Sequence, residues 1–277
     1  MTAPAVLPPG TVKIPPADDL EVRRLGPAHV PSPLDGPFLP DERSVVVATD
    51  PEEITRQVSA GCLTTLRRAG PRARLAFDPA ESTLGIVTCG GLCPGLNDVI
   101  RAVTRTALRR YGMKKVLGFR FGYSGLVARS GHPPTPLTLP DVALIHRQGG
   151  SVLGVSRGHQ DPAEMVAGLV EHGVDTLVAI GGDGTLRGVH ALCDEIARRG
   201  RRIAVVGVPK TIDNDVGWVQ RSFGLDTAVA VASEALVVAS TEARSAWGAS
   251  AWSGSWAATP ASSPCSRRSR AAWSTSA

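Results

Sequence analysis

The chain has 277 residues, 43% of them apolar, and its 30 basic and 25 acidic residues give a formal net charge of +5. This length and composition allow one large or two ordinary domains with an apolar core, and they exclude a wholly disordered chain. No run of about 18 apolar residues could form a membrane span. Three of the five net charges come from Arg267, Arg268 and Arg270 near the end of the chain, so the rest lacks the concentrated basic surface that nucleic-acid binding requires.

The cysteines and the N-terminus indicate a protein of a reducing cytoplasm. The first residues lack the basic start and apolar stretch of a secretory signal. The cysteines are odd in number, and their spacing forms no metal-ligand pairs: Cys62, Cys89, Cys93, Cys193 and Cys265. We therefore expect free thiols and a cytoplasmic protein.

Residues 1–50 are predicted to form a proline-rich arm. Ten of the 22 prolines fall within residues 1–40, spaced so that neither a helix nor a central strand could run through them. The segment 51–68 follows, with apolar residues about one helical turn apart at Ile54, Val58, Cys62 and Leu66. This spacing predicts a first helix.

Strands and helices are predicted to alternate from residue 84 onward. Apolar runs rich in β-branched residues, typical of buried parallel strands, lie at 84–88, 115–119, 176–180 and 203–208. Helical periods lie between and after them, at 98–111, 162–173, 185–199 and 227–243. The pattern predicts an α/β domain over residues 51–245, with a doubly wound, mostly parallel sheet and helices on both faces.

The turn after the first predicted strand reads Cys-Gly-Gly-Leu-Cys-Pro-Gly-Leu-Asn-Asp, residues 89–98. In doubly wound sheets, ligands bind outside the carboxyl ends of the strands. Glycines let an anion approach the backbone, and the following helix N-terminus offers free N–H groups. The turn therefore either binds phosphate or is only a tight connection. Cys89 and Cys93 are interpreted as packing residues, because no further ligand supports a metal site.

The turn after the third predicted strand reads Gly-Gly-Asp-Gly-Thr, residues 181–185. A carboxylate among glycines can coordinate Mg²⁺ while backbone amides receive the phosphates that the metal bridges. An aspartate at a helix start is often only an N-cap. Thr185 is the better candidate for the cap, which leaves Asp183 for the metal.

The turn after the fourth predicted strand reads Pro-Lys-Thr-Ile-Asp-Asn-Asp, residues 209–215. Two carboxylates, a lysine and a hydroxyl together form a set too polar to be explained by packing at a strand end. Proton transfer from a sugar hydroxyl requires a carboxylate near the phosphoryl acceptor and a cation that offsets developing charge. A solvated turn with Asx-type capping explains one aspartate, but not the whole heptad.

In their order and spacing, these turns resemble those of the phosphofructokinase family. The resemblance runs from about residue 84 to 245 and also includes the stretches 121–126 and 149–158. It implies an ATP site with Asp183 holding Mg²⁺, formed by Gly91, Tyr123, Arg157, Gly158, Gly182, Asp183, Gly184 and Thr185. It further implies that Asp213 accepts the proton of the fructose 6-phosphate 1-hydroxyl. Beside Asp213 it places the further catalytic residues Lys210 and Asp215 and the substrate-binding residues Thr211 and Ile212.

The choice of phosphoryl donor follows from the same resemblance. Pyrophosphate-using members tend to have Asp at the position of Gly184 and Lys at the position of Lys210. A subgroup of ATP-using members combines Gly with Lys, as this chain does. ATP is therefore the expected donor, and pyrophosphate remains the alternative.

The tail from residue 246 to 277 departs from the family pattern. It holds four of the five tryptophans and no Leu, Ile, Val, Met or Phe. Joining the last base of each codon to the first two of the next permits Met-Gly-Arg-His-Ser-Gly-Phe-Ile-Ala, beginning at the junction of Ser255 and Trp256. This string has the pattern expected there in the family. We expect a base lost near Gly248, an out-of-frame tail without ordered structure, and an incomplete second domain; a genuine Ser/Ala-rich tail is the alternative.

The sequence therefore predicts a glycolytic 6-phosphofructokinase that transfers the γ-phosphoryl group of ATP and is a homo-oligomer at full length. A fragment that binds nucleotide without catalysis is a second interpretation, because positioning of the acceptor provides most of phosphoryl-transfer catalysis. An NAD kinase or lipid kinase would also use a Gly-Gly-Asp-Gly-Thr turn, but would not explain residues 89–98 or 209–215. Neither a nucleic-acid nor a membrane partner is expected.

Overall fold

The computed structural model describes residues 22, 25–217 and 219–245. Its centre is a five-stranded sheet in the order β7-β6-β5-β8-β9, in which only β7 is antiparallel to its neighbour. The strands are β1 Val30–Pro31, β2 Ser44–Val46, β3 Thr65–Arg67, β4 Arg74–Leu75, β5 Thr83–Thr88, β6 Lys115–Phe119, β7 Thr135–Pro136, β8 Thr176–Gly181 and β9 Ala204–Pro209. The α-helices are α1 Pro51–Ser59, α2 Leu96–Arg105, α3 Pro162–Glu171, α4 Asp183–Arg198 and α5 Leu225–Ser245.

Apolar clusters cover both faces of the sheet. Alternate residues of a strand point to opposite faces, so Val87 packs in one cluster with Leu169 of α3 and Leu192 of α4. Ile86 packs in the other with Ile100 of α2. The predicted α/β class, with a mostly parallel sheet between helices, is thus confirmed.

The four predicted strands are confirmed, with bounds that differ by one residue or not at all. The predicted helices at 98–111, 162–173, 185–199 and 227–243 are also present, with shifted ends. The first of them is α2 followed by a π-helical turn, Thr106–Arg110. The short antiparallel β7 was not predicted, because its two residues are too few for a periodic pattern.

The predicted helix over 51–68 is wrong beyond Ser59. Helix α1 begins after Asp50, whose side chain accepts a hydrogen bond from the amide of Glu52, and it ends before Gly61, which has a φ of 67°. Such a left-handed conformation stops a helix and favours glycine. The remaining residues of the predicted helix include β3, which pairs antiparallel with β2.

The predicted arm contains two short strands. β1 pairs with β4, and β2 pairs with β3, so the arm is joined to residues 65–75 by two short antiparallel pairs. The boundary at residue 50 remains a prediction, as does the second domain. Residues 1–21 of the arm and the tail at 246–277 lie outside the described residues.

Helix α5 exposes most of its side chains. None of its described side chains is buried, and Val231, Val237 and Val238 are 63%, 65% and 66% exposed. In the part of the chain that the structure describes, no helix is long and apolar enough to span a bilayer.

Candidate active site

The three predicted turns meet at one cleft. They follow β5, β8 and β9, which are adjacent parallel strands, so their carboxyl ends lie at the same edge of the sheet. The chain passes from β5 to β6 on one side and later returns to β8 on the other, and such a topological switch point is where doubly wound sheets bind ligands. The cleft has a volume of about 920 Å³.

The cleft brings together every residue for which the sequence predicted a role in the site. Those predicted to bind nucleotide are Gly91, Tyr123, Arg157, Gly158, Gly182, Asp183, Gly184 and Thr185. Those predicted to act on the acceptor are Lys210, Thr211, Ile212, Asp213 and Asp215.

The turn after β5 is shaped by two glycines and anchored to the turns beside it. Gly90 and Gly95 have φ values of 81° and 98°, and Gly95 lies directly before α2. A Cβ at Gly95 would lie 3.0 Å from the ring of Phe223, so both conformation and space require glycine there. The amide of Gly90 donates to the carbonyl of Ser156 at 3.1 Å.

The segment that carries Arg157 is held by side chains of β5 and α2. The Thr88 hydroxyl donates to the Gly154 carbonyl at 2.7 Å. Asn97 donates from Nδ2 to the Gln148 carbonyl and accepts from the amide of Val152, at 2.9 and 2.8 Å. A Cβ at Gly91 would lie 3.5 Å from an Arg157 guanidinium nitrogen, so this cation lies beside the first glycine turn.

The turn after β8 does not place Thr185 at the helix N-cap, so that prediction is wrong. Gly182 is the N-cap residue, and Asp183 is the first residue of α4. Thr185 is 6% exposed, and its side chain lies so close to Gly181 that a Cβ on Gly181 would overlap it. The threonine therefore packs inward over the strand end, and the helix begins two residues earlier than predicted.

Tyr123 stabilises the first turn of α4 through a hydrogen bond. Its buried hydroxyl donates to the Thr185 carbonyl at 2.7 Å, and its ring lies where a Cβ at Gly188 would come within 2.6 Å. Burial raises the pKa of Tyr123 well above its usual value. The hydroxyl is thus a neutral donor to the backbone of α4.

The turn after β9 is built from its own hydrogen bonds. The Thr211 hydroxyl donates to Asp215 at 2.5 Å and accepts from the amide of Asp213 at 3.1 Å. Ser222 accepts from the amide of Thr211 at 2.9 Å and donates its own amide to Asn214 at 2.7 Å. Asn214 has a φ of 52°, a conformation that asparagine tolerates better than most residues.

Lys210 connects all three turns. Its amide donates to the Gly181 carbonyl at 2.9 Å, and its Nζ donates to the Gly91 carbonyl at 2.7 Å. The residue is only 5% exposed. Burial lowers the pKa of Lys210, since removal from water disfavours the charged form.

A family model described as Phosphofructokinase matches residues 83–250, which is more than half of the chain. The chain belongs to the phosphofructokinase family. It is 53% identical over 175 residues to the ATP-dependent 6-phosphofructokinase of Trypanosoma cruzi, a match that covers 63% of this chain and 36% of that protein. It is 43% identical over 236 residues to the ATP-dependent 6-phosphofructokinase of Amycolatopsis methanolica, a match that covers 82% of this chain and 51% of that protein. The chain thus spans about half or less of the length of these relatives.

Solved phosphofructokinases share the fold of this chain. The structure of phosphofructokinase from Saccharomyces cerevisiae has a TM-score of 0.53 at 24% identity. The match covers 60% of this chain and 25% of the yeast chain. The pyrophosphate-dependent phosphofructokinase of Nitrosospira multiformis has a TM-score of 0.55 at 16% identity, with 61% and 44% covered. At these identities the likeness concerns the fold alone.

The phosphofructokinase cleft also includes residues that the sequence reasoning missed. Arg187, Gly188 and Ala191 lie four, five and eight residues after Asp183, on the same helix. Helical spacing from Asp183 was a signal that could have found them. Ser156, His159 and Gln160 lie in the loop around Arg157, where no periodic pattern was available.

The two thiols of the turn after β5 are buried. Burial raises the pKa of Cys89 to about 12, so the thiol is protonated at neutral pH. Cys93 is 3% exposed, and its Sγ donates to the Phe223 carbonyl at 3.2 Å. Within the described residues, no group of three or more His, Cys, Asp or Glu side chains could hold a metal ion. These contacts support the interpretation of both cysteines as packing residues.

The part of the cleft that is predicted to bind nucleotide contains one carboxylate, which suits a magnesium–nucleotide complex. Asp183 is the first residue of α4, and its side chain is 65% exposed. Mg²⁺ is typically bound through one or two carboxylates together with substrate phosphates and water, rather than by an all-protein cage. Asp183 therefore suits a metal that arrives with the phosphates, and the described residues offer no cage for a permanently bound ion.

Proposed function

We propose that this chain forms the nucleotide-binding part of an ATP-dependent 6-phosphofructokinase, which transfers the γ-phosphoryl group of ATP to the 1-hydroxyl of fructose 6-phosphate in glycolysis. One observation carries the proposal. The glycine turns after β5 and β8 share a single cleft with the acidic turn after β9. The curated relatives at 43–53% identity are named ATP-dependent 6-phosphofructokinases, which supports the same reaction.

Asp213 is the proposed base for the sugar hydroxyl. Within the described residues, no hydrogen bond reaches its carboxylate, whereas its amide is fixed by Thr211. A base must have a free oxygen within hydrogen-bond reach of the proton that it removes. Asp215 holds the Thr211 hydroxyl and so positions the turn. Ile212 lines the cleft between them.

The nucleotide phosphates are proposed to bind at the turns after β5 and β8. The N-termini of α2 and α4 offer unpaired N–H groups and a partial positive charge. Gly158 gives the backbone close access beside Arg157, and that guanidinium can stabilise charge on the phosphoryl group. Mg²⁺ held by Asp183 would neutralise phosphate charge, and Lys210 keeps the Gly91 turn fixed beside it.

ATP rather than pyrophosphate is the proposed donor. A Cβ at Gly184 would meet no atom within 4 Å, so there is open space where an α-phosphate and nucleoside must enter. Arg187, Gly188 and Ala191 extend the cleft along α4 beyond this glycine. Pyrophosphate ends at its second phosphate and needs no such extension.

The full protein is proposed to be a cytoplasmic homo-oligomer. The chain spans 36% to 51% of the relatives' length. A non-catalytic chain that still binds nucleotide is the second candidate, because positioning of the acceptor provides most of phosphoryl-transfer catalysis.

The decisive experiment measures phosphoryl transfer by this 277-residue chain and by a frame-restored version, in which the proposed lost base near codon 248 is returned. Transfer is followed as ADP release with ATP as donor and as orthophosphate release with pyrophosphate as donor. Fructose 6-phosphate, NAD and no acceptor are compared, with ATP or pyrophosphate as donor. We expect turnover only in the restored protein, with ATP and the sugar phosphate. Turnover with NAD would contradict the proposal and indicate an NAD kinase. Equal turnover by both chains would refute the interpretation of the 277-residue chain as a non-catalytic fragment.

A further inference from the structure

Arg187 forms an ion pair with the carboxylate proposed to hold the metal. Its guanidinium lies 2.5 Å from Oδ2 of Asp183, one helical turn away, and the two side chains are 77% and 65% exposed. Both residues line the cleft. The lining of the cleft therefore includes a cation in direct contact with Asp183.

The pair changes the electrostatics of the nucleotide side. An unpaired Asp183 carboxylate would repel incoming phosphates and offset the favourable N-terminus of α4. With Arg187 beside it, the charge of this carboxylate is compensated. An exposed pair of this kind is weak, typically about 0.2–1 kcal/mol, so the guanidinium can be displaced at little cost.

We propose that Arg187 is a displaceable counter-ion of Asp183, which occupies the carboxylate in the free protein and releases it when a magnesium–nucleotide complex binds. The inference rests on the proposed ATP site. Arg187 thereby sets how strongly nucleotide binding depends on Mg²⁺. In the released state the guanidinium stays in the cleft, one turn along α4, where it can contact the nucleotide.

Removal of the guanidinium should make nucleotide binding more dependent on Mg²⁺. In Arg187→Met, metal-free ATP meets an uncompensated carboxylate and binds more weakly. Binding of the magnesium complex changes less, because Asp183 no longer has to give up a partner. We expect the ratio of Kd without Mg²⁺ to Kd with Mg²⁺ to rise about twofold to fivefold, the range of an exposed ion pair.

The experiment is isothermal titration of the 277-residue chain with ATP, in MgCl₂ or in EDTA at matched ionic strength. Arg198→Met is the matched control, because Arg198 lies on the same helix, is 68% exposed and pairs with Glu195 at 2.7 Å. It should leave the ratio unchanged. Arg187→Lys keeps the charge and should restore a ratio close to that of the parent chain. Circular dichroism checks that each variant is folded.

Each outcome bears on the inference. An unchanged ratio in Arg187→Met, while ATP still binds, would overturn the role of Arg187 alone. An equal rise in Arg198→Met would do the same, since it would indicate a general effect of charge. Absence of ATP binding to every variant would overturn this inference together with the proposed nucleotide site.

Discussion

Gly184 is a residue at which a single carboxylate should distinguish donors. It is not in the left-handed region, and a Cβ there meets no atom within 4 Å, so a side chain fits without strain. Gly184→Asp would add a second negative charge next to Asp183. We expect ATP affinity to fall about 10- to 100-fold, as charges about 6 Å apart repel at a partly shielded site. Titration with the magnesium–ATP complex measures the change.

Gly184→Asn is the control for this substitution, because it has nearly the same size without the charge. We expect a smaller loss in Asn than in Asp. An equal loss in both variants would show that the size of the side chain, and not its charge, causes the effect. Unchanged ATP binding in Gly184→Asp would contradict the proposal that Gly184 favours ATP over pyrophosphate.

Cys89 should react with alkylating reagents only at high pH. Its pKa is raised to about 12 by burial, and only the thiolate is the nucleophile. At pH 8, about one molecule in ten thousand has the thiolate, and the fraction rises about tenfold per pH unit up to the pKa. Iodoacetamide should therefore modify exposed Cys62 at least about 100-fold faster, as followed by peptide mass spectrometry under native conditions. Equal rates at pH 8 would contradict the burial of Cys89.

At the scale of elements, the start of α4 depends on the Tyr123 hydroxyl. Tyr123→Phe removes the side-chain donor to the Thr185 carbonyl, at 2.7 Å, and leaves only the helical hydrogen bond to that oxygen. We expect the free energy of unfolding to fall by about 0.5–1.5 kcal/mol, the usual net contribution of one hydrogen bond. Urea unfolding measures this change.

Tyr111→Phe is the matched control, since the chain has two tyrosines and Tyr111 follows the π-helical turn, away from α4. Its effect should stay within about 0.5 kcal/mol. A loss of equal size in both variants would indicate that the Thr185 contact has no particular importance.

The strands and the site turns were predictable because each rests on a local pattern. Runs of β-branched residues defined β5, β6, β8 and β9 to within a residue, and the polar turns follow directly from them. The two errors in local structure have tertiary causes. Thr185 packs over Gly181 instead of capping α4, and the helical spacing at 51–68 continues into β3, where pairing with β2 prevails. The Asp183–Arg187 pair joins residues one helical turn apart. It therefore follows from the face of α4 and not from the turn motif that the prediction used.

At the scale of the whole molecule, α5 should respond to restoration of the reading frame. Its apolar side chains are exposed, and the proposed lost base lies just after it, near residue 248. If the restored sequence supplies the rest of the fold, these side chains become buried against it. We expect amide hydrogen exchange in α5 to slow at least about tenfold relative to the 277-residue chain, measured by mass spectrometry.

The central strand β8 serves as the internal reference for this comparison, because its residues are buried in the present structure and should be protected in both proteins. Equal exchange of α5 in the two proteins would count against the restored frame. Sequencing of the organism's messenger across codon 248 tests the same proposal independently.

The position of β9 in the sheet couples the two parts of the cleft. Within the described residues, β9 is the edge strand and pairs with β8 alone, and the turn after its carboxyl end carries Lys210 and Asp213. Lys210 holds both glycine turns through the carbonyls of Gly181 and Gly91. Fraying of this edge would therefore withdraw the proposed base and release both glycine turns at the same time.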